Sequence, residues 1–251
     1  MRMNFREMLL AQKLFGGSGG SGGSGVRGEF VLTGEATEVR YEGFAYRPIT
    51  SVYLPAAISI GEDAFRECTA LTRADLPVAT SFERQAFYKC TALTSVDLPA
   101  ATGIGSNAFG GCTALTSVSL PVATSIEGGA FSDCTALTSV DLPVAEGIGA
   151  NAFWDCTNLS ALILRNIETV CQLIVSAVLG TKIVTAEGAP TGEGFIYVPS
   201  ALYEGYVELI AYQAAMLLMS QGMGEAEAQA TAEYIARAIL RKIEDYPEIC
   251  G

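Results

Sequence analysis

Five cysteines recur at a constant interval of 22 residues in the middle of the chain. They are Cys68, Cys90, Cys112, Cys134 and Cys156. A phenylalanine column keeps the same interval, namely Phe65, Phe87, Phe109, Phe131 and Phe153. A fixed interval of this length is typical of a solenoid, in which each unit buries its apolar face by stacking on the next unit. Residues 49–164 are therefore predicted to wind into repeated coils.

Each unit contains a short segment with strand periodicity. In residues 93–99, Leu93, Val96 and Leu98 fall on one side, whereas Ser95 and Asp97 fall on the other. This pattern predicts a strand with one face in the core, and residues 100–112 are expected to return across the same core. Repetition then predicts a parallel β-sheet with one strand per coil, spaced about 4.8 Å apart.

The repeated framework resembles a known family. Leu-x-x-Val-x-Leu-Pro followed by Ile-x-x-x-Ala-Phe-x-x-Cys-Thr-Ala-Leu is similar to the bacterial leucine-rich repeats of the BspA-like, or treponemal, type, over roughly residues 44–200. The resemblance implies an α/β repeat fold, a leucine-rich-repeat solenoid with a parallel β-sheet. It also implies a curved binding scaffold, often a surface adhesin, and brings no catalytic residues with it.

The remaining chain is divided by composition and periodicity. We predict the following segments: an amphipathic helix at 1–15, a Gly/Ser linker at 16–25, an N-terminal cap at 26–53, five 22-residue repeats at 54–164, degenerate closing coils at 165–200 and C-terminal helices at 201–251. The first C-terminal helix is expected to start at a Ser200 cap and reach Met219, and the second to run from about Glu225 to Asp245. Together they form a hairpin over the open end of the solenoid, or face a neighbouring subunit.

The N-terminal helix is the predicted anchor. Phe5, Leu9, Leu14 and Phe15 gather on its apolar side at helical spacing. The Gly-Gly-Ser repeats that follow form a flexible tether. Two origins remain open for residues 1–25. One is a native anchor, which resembles the start of tail-associated proteins in phages and prophages, and the other is a peptide fused for expression.

Charge and residue usage exclude several classes of protein. The net charge of −12, from 27 acidic and 15 basic residues, argues against binding to nucleic acid or to an anionic membrane. The absence of histidine excludes histidine triads and histidine metal sites. No apolar run approaches the roughly 18 residues of a membrane span. No nucleophile with a recognisable base is visible, so we expect no enzymatic activity, cofactor or metal.

The cysteine column allows two states. Neighbouring coils would place the cysteine Cα atoms about 5 Å apart, which is within the range of a disulfide. We favour buried, reduced thiols, because the column is flanked by core phenylalanine and leucine positions. Cys171 and Cys250 lie outside the column and receive no role.

Variation between coils is concentrated at outward positions. The candidate ligand-surface residues are Tyr53, Arg73, Asp75, Tyr88, Asp97, Asp141 and Trp154. A constant frame with variable side chains is how repeat proteins make binding surfaces, although relaxed selection at solvated positions is the simpler explanation for most of these sites. Relaxed selection is the weakest explanation for Tyr53, Tyr88 and Trp154, because aromatic residues are favoured at interfaces. Asp75 and Asp97 share one column, where solvated acidic residues are favoured over a catalytic pair or a weak calcium or sugar contact.

These observations predict a non-enzymatic binding or adhesion protein. We expect the N-terminal helix to join other proteins of a phage tail or virion, and the solenoid to contact a protein or glycan on a bacterial surface. Because residues 1–15 lack a secretory apolar region, the expected location is the virion, or the cytoplasm before assembly. The alternatives are a purely structural component, including a homo-oligomer formed through the C-terminal helices, and a bacterial surface adhesin expressed as a fusion.

Overall fold

A computed structural model describes residues 2–4, 31–33, 36–164, 172–173, 175–183, 190–242 and 245–246. Its strands are β1 (Arg2–Asn4), β2 (Val31–Thr33), β3 (Glu38–Val39), β4 (Ser51–Tyr53), β5 (Ser59–Ile60), β6 (Arg73–Asp75), β7 (Ser81–Phe82), β8 (Ser95–Asp97), β9 (Gly103–Ile104), β10 (Ser117–Ser119), β11 (Ser125–Ile126), β12 (Ser139–Asp141), β13 (Gly147–Ile148), β14 (Ala161–Ile163), β15 (Gln172–Leu173), β16 (Phe195–Val198) and β17 (Leu240–Lys242). Its helices are α1 (Tyr203–Ser220) and α2 (Glu225–Ile239).

The strands form two parallel sheets that run along a solenoid. The ten-stranded sheet has the order β1-β2-β4-β6-β8-β10-β12-β14-β16-β17, and the seven-stranded sheet has the order β15-β13-β11-β9-β7-β5-β3. The predicted parallel sheet is confirmed, but a second sheet was not expected. Its strands are only two residues long, as in Gly103–Ile104. So short a strand carries no alternation that the sequence could show.

The interior is dry and continuous, as the repeat predicts. Within β8, Val96 is buried between the exposed Ser95 and Asp97. Phe87, Cys90 and Leu93 have no exposed surface. One apolar cluster runs from Val39 through all the coils to the two C-terminal helices. We number the coils 1 to 5 by the cysteine that each contains, from Cys68 to Cys156.

A stack of phenylalanine rings forms the centre of this interior. Ring centroids are separated by 4.9 Å between Phe65 and Phe87, 5.2 Å between Phe87 and Phe109, 5.4 Å between Phe109 and Phe131, and 5.6 Å between Phe131 and Phe153. Phe44 continues the stack at 5.3 Å from Phe65. The repeated coil therefore extends before the first cysteine.

The coil that precedes coil 1 and contains Phe44 is one residue shorter than coils 1 to 5. Phe44 stacks on Phe65, so the position of Cys68 is occupied in this coil by Arg47, whose N–H donates to the Phe44 carbonyl as the Cys68 N–H donates to the Phe65 carbonyl. Counting back one full 22-residue interval from Cys68 predicts Tyr46 for this position. That prediction is wrong because the interval here is one residue shorter, and Tyr46 is exposed instead.

The turn after the second sheet has its own hydrogen-bond ladder. The N–H groups of Asp63, Phe65 and Glu67 donate to carbonyls of the next coil at 3.0, 2.7 and 2.7 Å. Two positions in each turn have positive φ, as in Asp63 (55°) and Glu67 (53°). Asparagine, aspartate and glycine are favoured at such positions, and several coils use them there. We call this series of turns the turn edge.

The cysteine column consists of buried, reduced thiols, as predicted. Each Sγ donates to a phenylalanine carbonyl of a preceding coil, as from Cys112 to Phe87 at 3.2 Å and from Cys156 to Phe131 at 3.0 Å. The five described cysteines are free. Burial raises the pKa of the Cys68 and Cys112 thiols from 9.0 to about 12. These thiols therefore behave as small apolar residues with one weak hydrogen bond.

The raised pKa makes alkaline stability depend on the column. An unfolded thiol ionises near pH 9, whereas the folded Cys112 thiol retains its proton to about pH 12. Between these values the unfolded state binds fewer protons, so the free energy of unfolding falls as pH rises. We expect a smaller fall for Cys112→Ala than for the parent protein or Thr113→Ala, measured by urea unfolding at about pH 8 and about pH 10. Identical falls in all three proteins would contradict this account.

The C-terminal helices form the predicted hairpin, with different ends. Helix α1 begins at Tyr203, after a 3-10 turn at Ser200–Leu202, and its N-cap residue is Leu202 instead of the expected Ser200. Helix α2 ends at Ile239 and not near Asp245, because the chain turns into strand β17 and pairs with the edge of β16. An unpaired sheet edge favours such pairing, and helix periodicity does not show it.

The two flanks of the repeats also depart from expectation. Residues Arg2–Asn4 form strand β1, which pairs with β2, and the rest of the expected N-terminal helix lies outside the described residues. The sequence predicts closing strands at 182–185 and 195–199. Phe195–Val198 is β16, whereas Lys182 and Ile183 lie in a bend. The apolar residues 167–179 allow a helix or a distorted coil, and their described part contains β15 and a 3-10 turn at Val175–Val178.

Candidate functional site

The outward side of the ten-stranded sheet presents two columns of variable residues. One column is Tyr53, Asp75, Asp97, Ser119 and Asp141, on adjacent strands in register. The other is Ser51, Arg73, Ser95, Ser117 and Ser139. We call this surface the sheet face. Five of the seven ligand-surface candidates therefore lie together on it, and Tyr53 keeps 47% of its surface exposed.

The sheet face is acidic and holds few internal contacts. Arg73 lies 3.6 Å from Asp75 in an exposed ion pair, which contributes little to stability. Asp75 and Asp97 are direct neighbours across β6 and β8. In the described part of the chain, no group of three or more cysteine, aspartate or glutamate side chains is arranged to hold a metal ion. The face is therefore suited to polar recognition.

Towards the C-terminus the same side of the sheet becomes apolar and covered. Ala161, Ile163 and Tyr197 are buried there, and the Tyr246 ring meets Tyr197 edge-on at 5.5 Å. The Arg241 guanidinium lies 3.9 Å from the centre of the Phe195 ring. On its C-terminal side, the exposed sheet face therefore ends at strand β12.

The remaining two ligand-surface candidates, Tyr88 and Trp154, lie on the turn edge. Tyr88 is less exposed than the sequence predicts. The Tyr88 ring is half-buried between Arg66 and Lys89, whose charged groups lie 5.4 and 5.2 Å from its centre. On the next coil it covers Gly110, where a Cβ would come within 3.2 Å of the ring. Its aromatic character is explained by these contacts.

Trp154 retains 37% of its surface exposed and borders a depression. This depression, which we call the notch, has a volume of about 360 Å³ and lies on coils 3 to 5 of the turn edge. It is lined by Asn107, Gly128, Gly129, Ser132, Asp133, Ala150, Asn151 and Trp154. Sequence reasoning selected Trp154 and missed the notch. The Gly128-Gly129 pair, which replaces Arg84-Gln85 of coil 2, was the available signal.

A second surface that the sequence did not reveal lies on the helical hairpin. Tyr212, Met216 and Tyr234 expose 67%, 51% and 69% of their surfaces. A groove of about 510 Å³ runs between α1 and α2 and includes Tyr212, Met216, Met219 and four glutamates. Arg237 bridges the helices by contacting Glu204 and Glu233, each at 3.2 Å. Neither helix of the described ranges is long and apolar enough to cross a membrane.

The assembly-anchor candidates cannot be placed on any of these surfaces. Phe5, Leu9, Leu14 and Phe15 lie outside the described residues. The described strand nearest to them, β1, pairs with β2 at the N-terminal end of the ten-stranded sheet.

One solved structure supports the fold, and two others share lower similarity with the chain. The chain is similar to a leucine-rich repeat protein of T. pallidum, with 28% identity and a TM-score of 0.57 over 71% of this chain and 82% of that one. A leucine-rich cell surface protein of Faecalibacterium prausnitzii shares 21% identity over 68% of this chain and 53% of its own, with a TM-score of 0.39. A leucine-rich-repeat protein of Bacteroides ovatus shares 19% identity over 64% and 58%, with a TM-score of 0.30. The comparison with curated proteins gave no match.

The family assignment depends on the repeats themselves. Residues 37–160 match the BspA type leucine-rich repeat region in six copies. The match begins before the first cysteine, in agreement with the coil that contains Phe44. The resemblance read from the sequence is thus confirmed for the repeats. Residues 37–160 are thus similar to the BspA type leucine-rich repeat region, and they lie within a parallel solenoid that ends in a helical hairpin.

Proposed function

We propose that this protein is a non-enzymatic binding or adhesion scaffold whose sheet face contacts a protein or glycan on a bacterial surface. The observation that carries the proposal is the contrast between the two sides of each strand. Inward residues such as Val96 and Val140 are nearly constant and buried, whereas the outward positions, mostly serine and aspartate, also carry Tyr53 and Arg73. Repeat scaffolds bind partners through surfaces of this kind.

The chemistry of the sheet face limits its partner. Its charged side chains are Arg73, Asp75, Asp97 and Asp141, so the face is acidic overall. Like charges opposed across an interface are costly, so a basic or neutral partner is favoured. Tyr53, at one end of the face, supplies an aromatic group of the type that often dominates binding energy.

The proposal also includes the place of the protein in a larger assembly. Residues 1–15 would join other proteins of a phage tail or virion, with residues 16–25 as the tether, and the protein would reside in the virion or, before assembly, in the cytoplasm. This part is supported by the sequence alone, through the apolar spacing of Phe5, Leu9, Leu14 and Phe15 and the Gly/Ser composition of the linker. A bacterial surface adhesin expressed as a fusion is its alternative.

Adsorption to cells tests the proposed function. We expect the full chain to adsorb to bacteria of its host range, and Tyr53→Ala with Asp97→Lys to weaken adsorption at least about tenfold, because both changes alter the sheet face. Tyr234→Ala, which removes an exposed aromatic from α2, is the matched control and should adsorb normally. Lack of adsorption by the parent chain, or equal adsorption by all variants, would contradict the proposal.

A purely structural role is the second candidate, and the exposed hairpin favours it. Tyr212, Met216 and Tyr234 are large apolar side chains that would be covered by a second copy of the chain. Light scattering on the full chain tests this role. A homo-oligomer that dissociates in Tyr212→Glu with Met216→Glu, while the sheet-face variant stays assembled, would support it, and a monomeric parent chain would refute it.

A further inference from the structure

We propose that the notch binds one neutral hexose unit of a glycan, with the sugar ring stacked on Trp154. This inference rests on the proposed binding function and names a ligand class and a second site, separate from the sheet face.

The notch exists because one coil lacks side chains where its neighbours have them. Coil 4 has Gly128-Gly129 where coil 5 has Ala150-Asn151 and coil 3 has Ser106-Asn107. Since adjacent coils are about 4.8 Å apart, the flanking coils stand about 10 Å apart across this gap. The width suits a single pyranose ring lying between them.

Gly129 is required to keep the gap open. Its φ is +66°, and a Cβ placed there would lie 2.5 Å from Oδ1 of Asn107. The Asn107 carboxamide therefore lies over the Gly129 backbone and forms part of the floor. The hydrogen bonds of the turn edge hold the wall that contains Trp154. The Asp133 N–H donates to the Trp154 carbonyl at 2.7 Å, and the Trp154 N–H donates to the Asn151 carbonyl at 3.0 Å.

The notch combines an aromatic wall with unused polar groups. Asn107, Ser132, Asn151 and the Trp154 indole have no side-chain hydrogen-bond partner among the described residues. They offer amide, hydroxyl and N–H groups that can both donate and accept. A hexose has an apolar C–H face, which packs on an aromatic ring, and hydroxyls around its edge, which need donors and acceptors. The two sets of groups are complementary.

Charge selects against acidic sugars. The only charged residue that lines the notch is Asp133, and no basic side chain lines it. A uronic or sialic acid would place its carboxylate beside Asp133 without a cation to offset the repulsion. The notch is therefore expected to take neutral hexoses or N-acetylhexosamines.

A peptide is a poorer occupant of the same surface. An extended peptide binds by pairing with free backbone groups of a sheet edge. The N–H groups of Gly129 and Phe131 are already used within the ladder, donating to Ala150 and Ala152 at 3.0 and 2.7 Å.

The site contains its own spectroscopic reporter, since Trp154 is the only tryptophan of the chain. Oligosaccharides of glucose, galactose, mannose and N-acetylglucosamine would be titrated into the full chain at up to millimolar concentration, with sialyllactose as the acidic comparison. We expect at least one neutral oligosaccharide to shift the tryptophan emission and to release heat on calorimetry, and sialyllactose to bind at least about tenfold more weakly.

Three variants test the site. Trp154→Ala should weaken the calorimetric affinity at least about tenfold, and Gly129→Asn, which repeats the asparagine of Asn107 and Asn151 at a φ that asparagine tolerates, should block the notch. Tyr41→Ala, which removes an aromatic side chain that is 62% exposed and does not line the notch, is the control and should bind the sugar normally. Circular dichroism confirms that each variant is folded.

The outcomes separate this inference from the proposed function. If no neutral oligosaccharide binds, or if binding survives both Trp154→Ala and Gly129→Asn, the sugar site is wrong. The proposed function stands without the notch if the sugar site is wrong but cells still adsorb the protein and the sheet-face variants abolish that adsorption. Absence of both sugar binding and cell adsorption would overturn both.

Discussion

Replacing Phe109 with alanine is expected to lower the free energy of unfolding by about 3–5 kcal/mol, because it empties the middle of the phenylalanine stack. Phe109 has no exposed surface and lies between Phe87 and Phe131, with the Phe82 ring 6.0 Å away. A collapse that filled the cavity would require neighbouring coils to move together, and the backbone ladders oppose that movement.

Urea unfolding followed by Trp154 fluorescence and by circular dichroism measures this loss. Phe109→Leu is the matched control, because it keeps most of the apolar volume and should cost less than about 1.5 kcal/mol. Coincident transitions from the two probes would show that coil 5 unfolds together with the rest of the solenoid. Equal losses for the alanine and leucine variants would contradict the emptied volume as the main cause, because both variants lose the ring and only the alanine variant loses most of the apolar volume.

Replacing Gly105 with alanine is the second change with a large expected effect. A Cβ at Gly105 would lie 2.6 Å from the Phe82 carbonyl oxygen and 2.8 Å from the Glu83 carbonyl carbon, and both are backbone atoms of the previous coil. Relief of the collision requires the two coils to separate, which breaks the Gly105 N–H bond to Phe82 at 2.8 Å. We expect a loss of about 3 kcal/mol, at the upper end of the usual cost of overpacking.

Gly103, two residues before Gly105 and at the start of β9, supplies a matched control as Gly103→Ala. No atom lies within 4 Å of a Cβ placed at Gly103, so this substitution should leave stability unchanged or raise it by up to about 1 kcal/mol. Thermal unfolding of the two variants side by side measures the difference. A similar melting temperature for Gly103→Ala and Gly105→Ala would refute close coil contact as the reason for glycine.

At the positions equivalent to Gly105, the residue type repeats every second coil and not every coil. Glycine and glutamate alternate in it, as Gly61, Glu83, Gly105, Glu127 and Gly149. Glu127 accepts hydrogen bonds from the Ser106 N–H and hydroxyl, both at 2.9 Å, and Glu83 accepts from the Glu62 N–H at 3.1 Å. Each glutamate thus satisfies an amide beside the glycine of the preceding coil. These carboxylates have structural partners and are not ligand candidates.

The sequence predicted those parts of the candidate sites that repeat regularly, and it missed those that depend on contacts between coils or between helices. Strand alternation correctly placed Asp75 and Asp97 on one outward column, because side chains of parallel strands in register share a face. It could not show that Tyr88 is covered, since that depends on Arg66 of the preceding coil and Gly110 of the next. The helical hairpin groove was missed because it forms only between two helices.

By itself, the sequence determined the solenoid, its dry interior and its reduced cysteine column. A repeated unit must bury the same apolar positions in every coil, so one period read from Phe87, Cys90 and Leu93 applies to all. Only the tertiary structure decided the second sheet, the close contacts at Gly105, the notch beside Trp154 and the conversion of the last helix into β17. These features arise between coils or at the ends of the solenoid, where the neighbouring backbone sets the outcome and local periodicity carries no information about it.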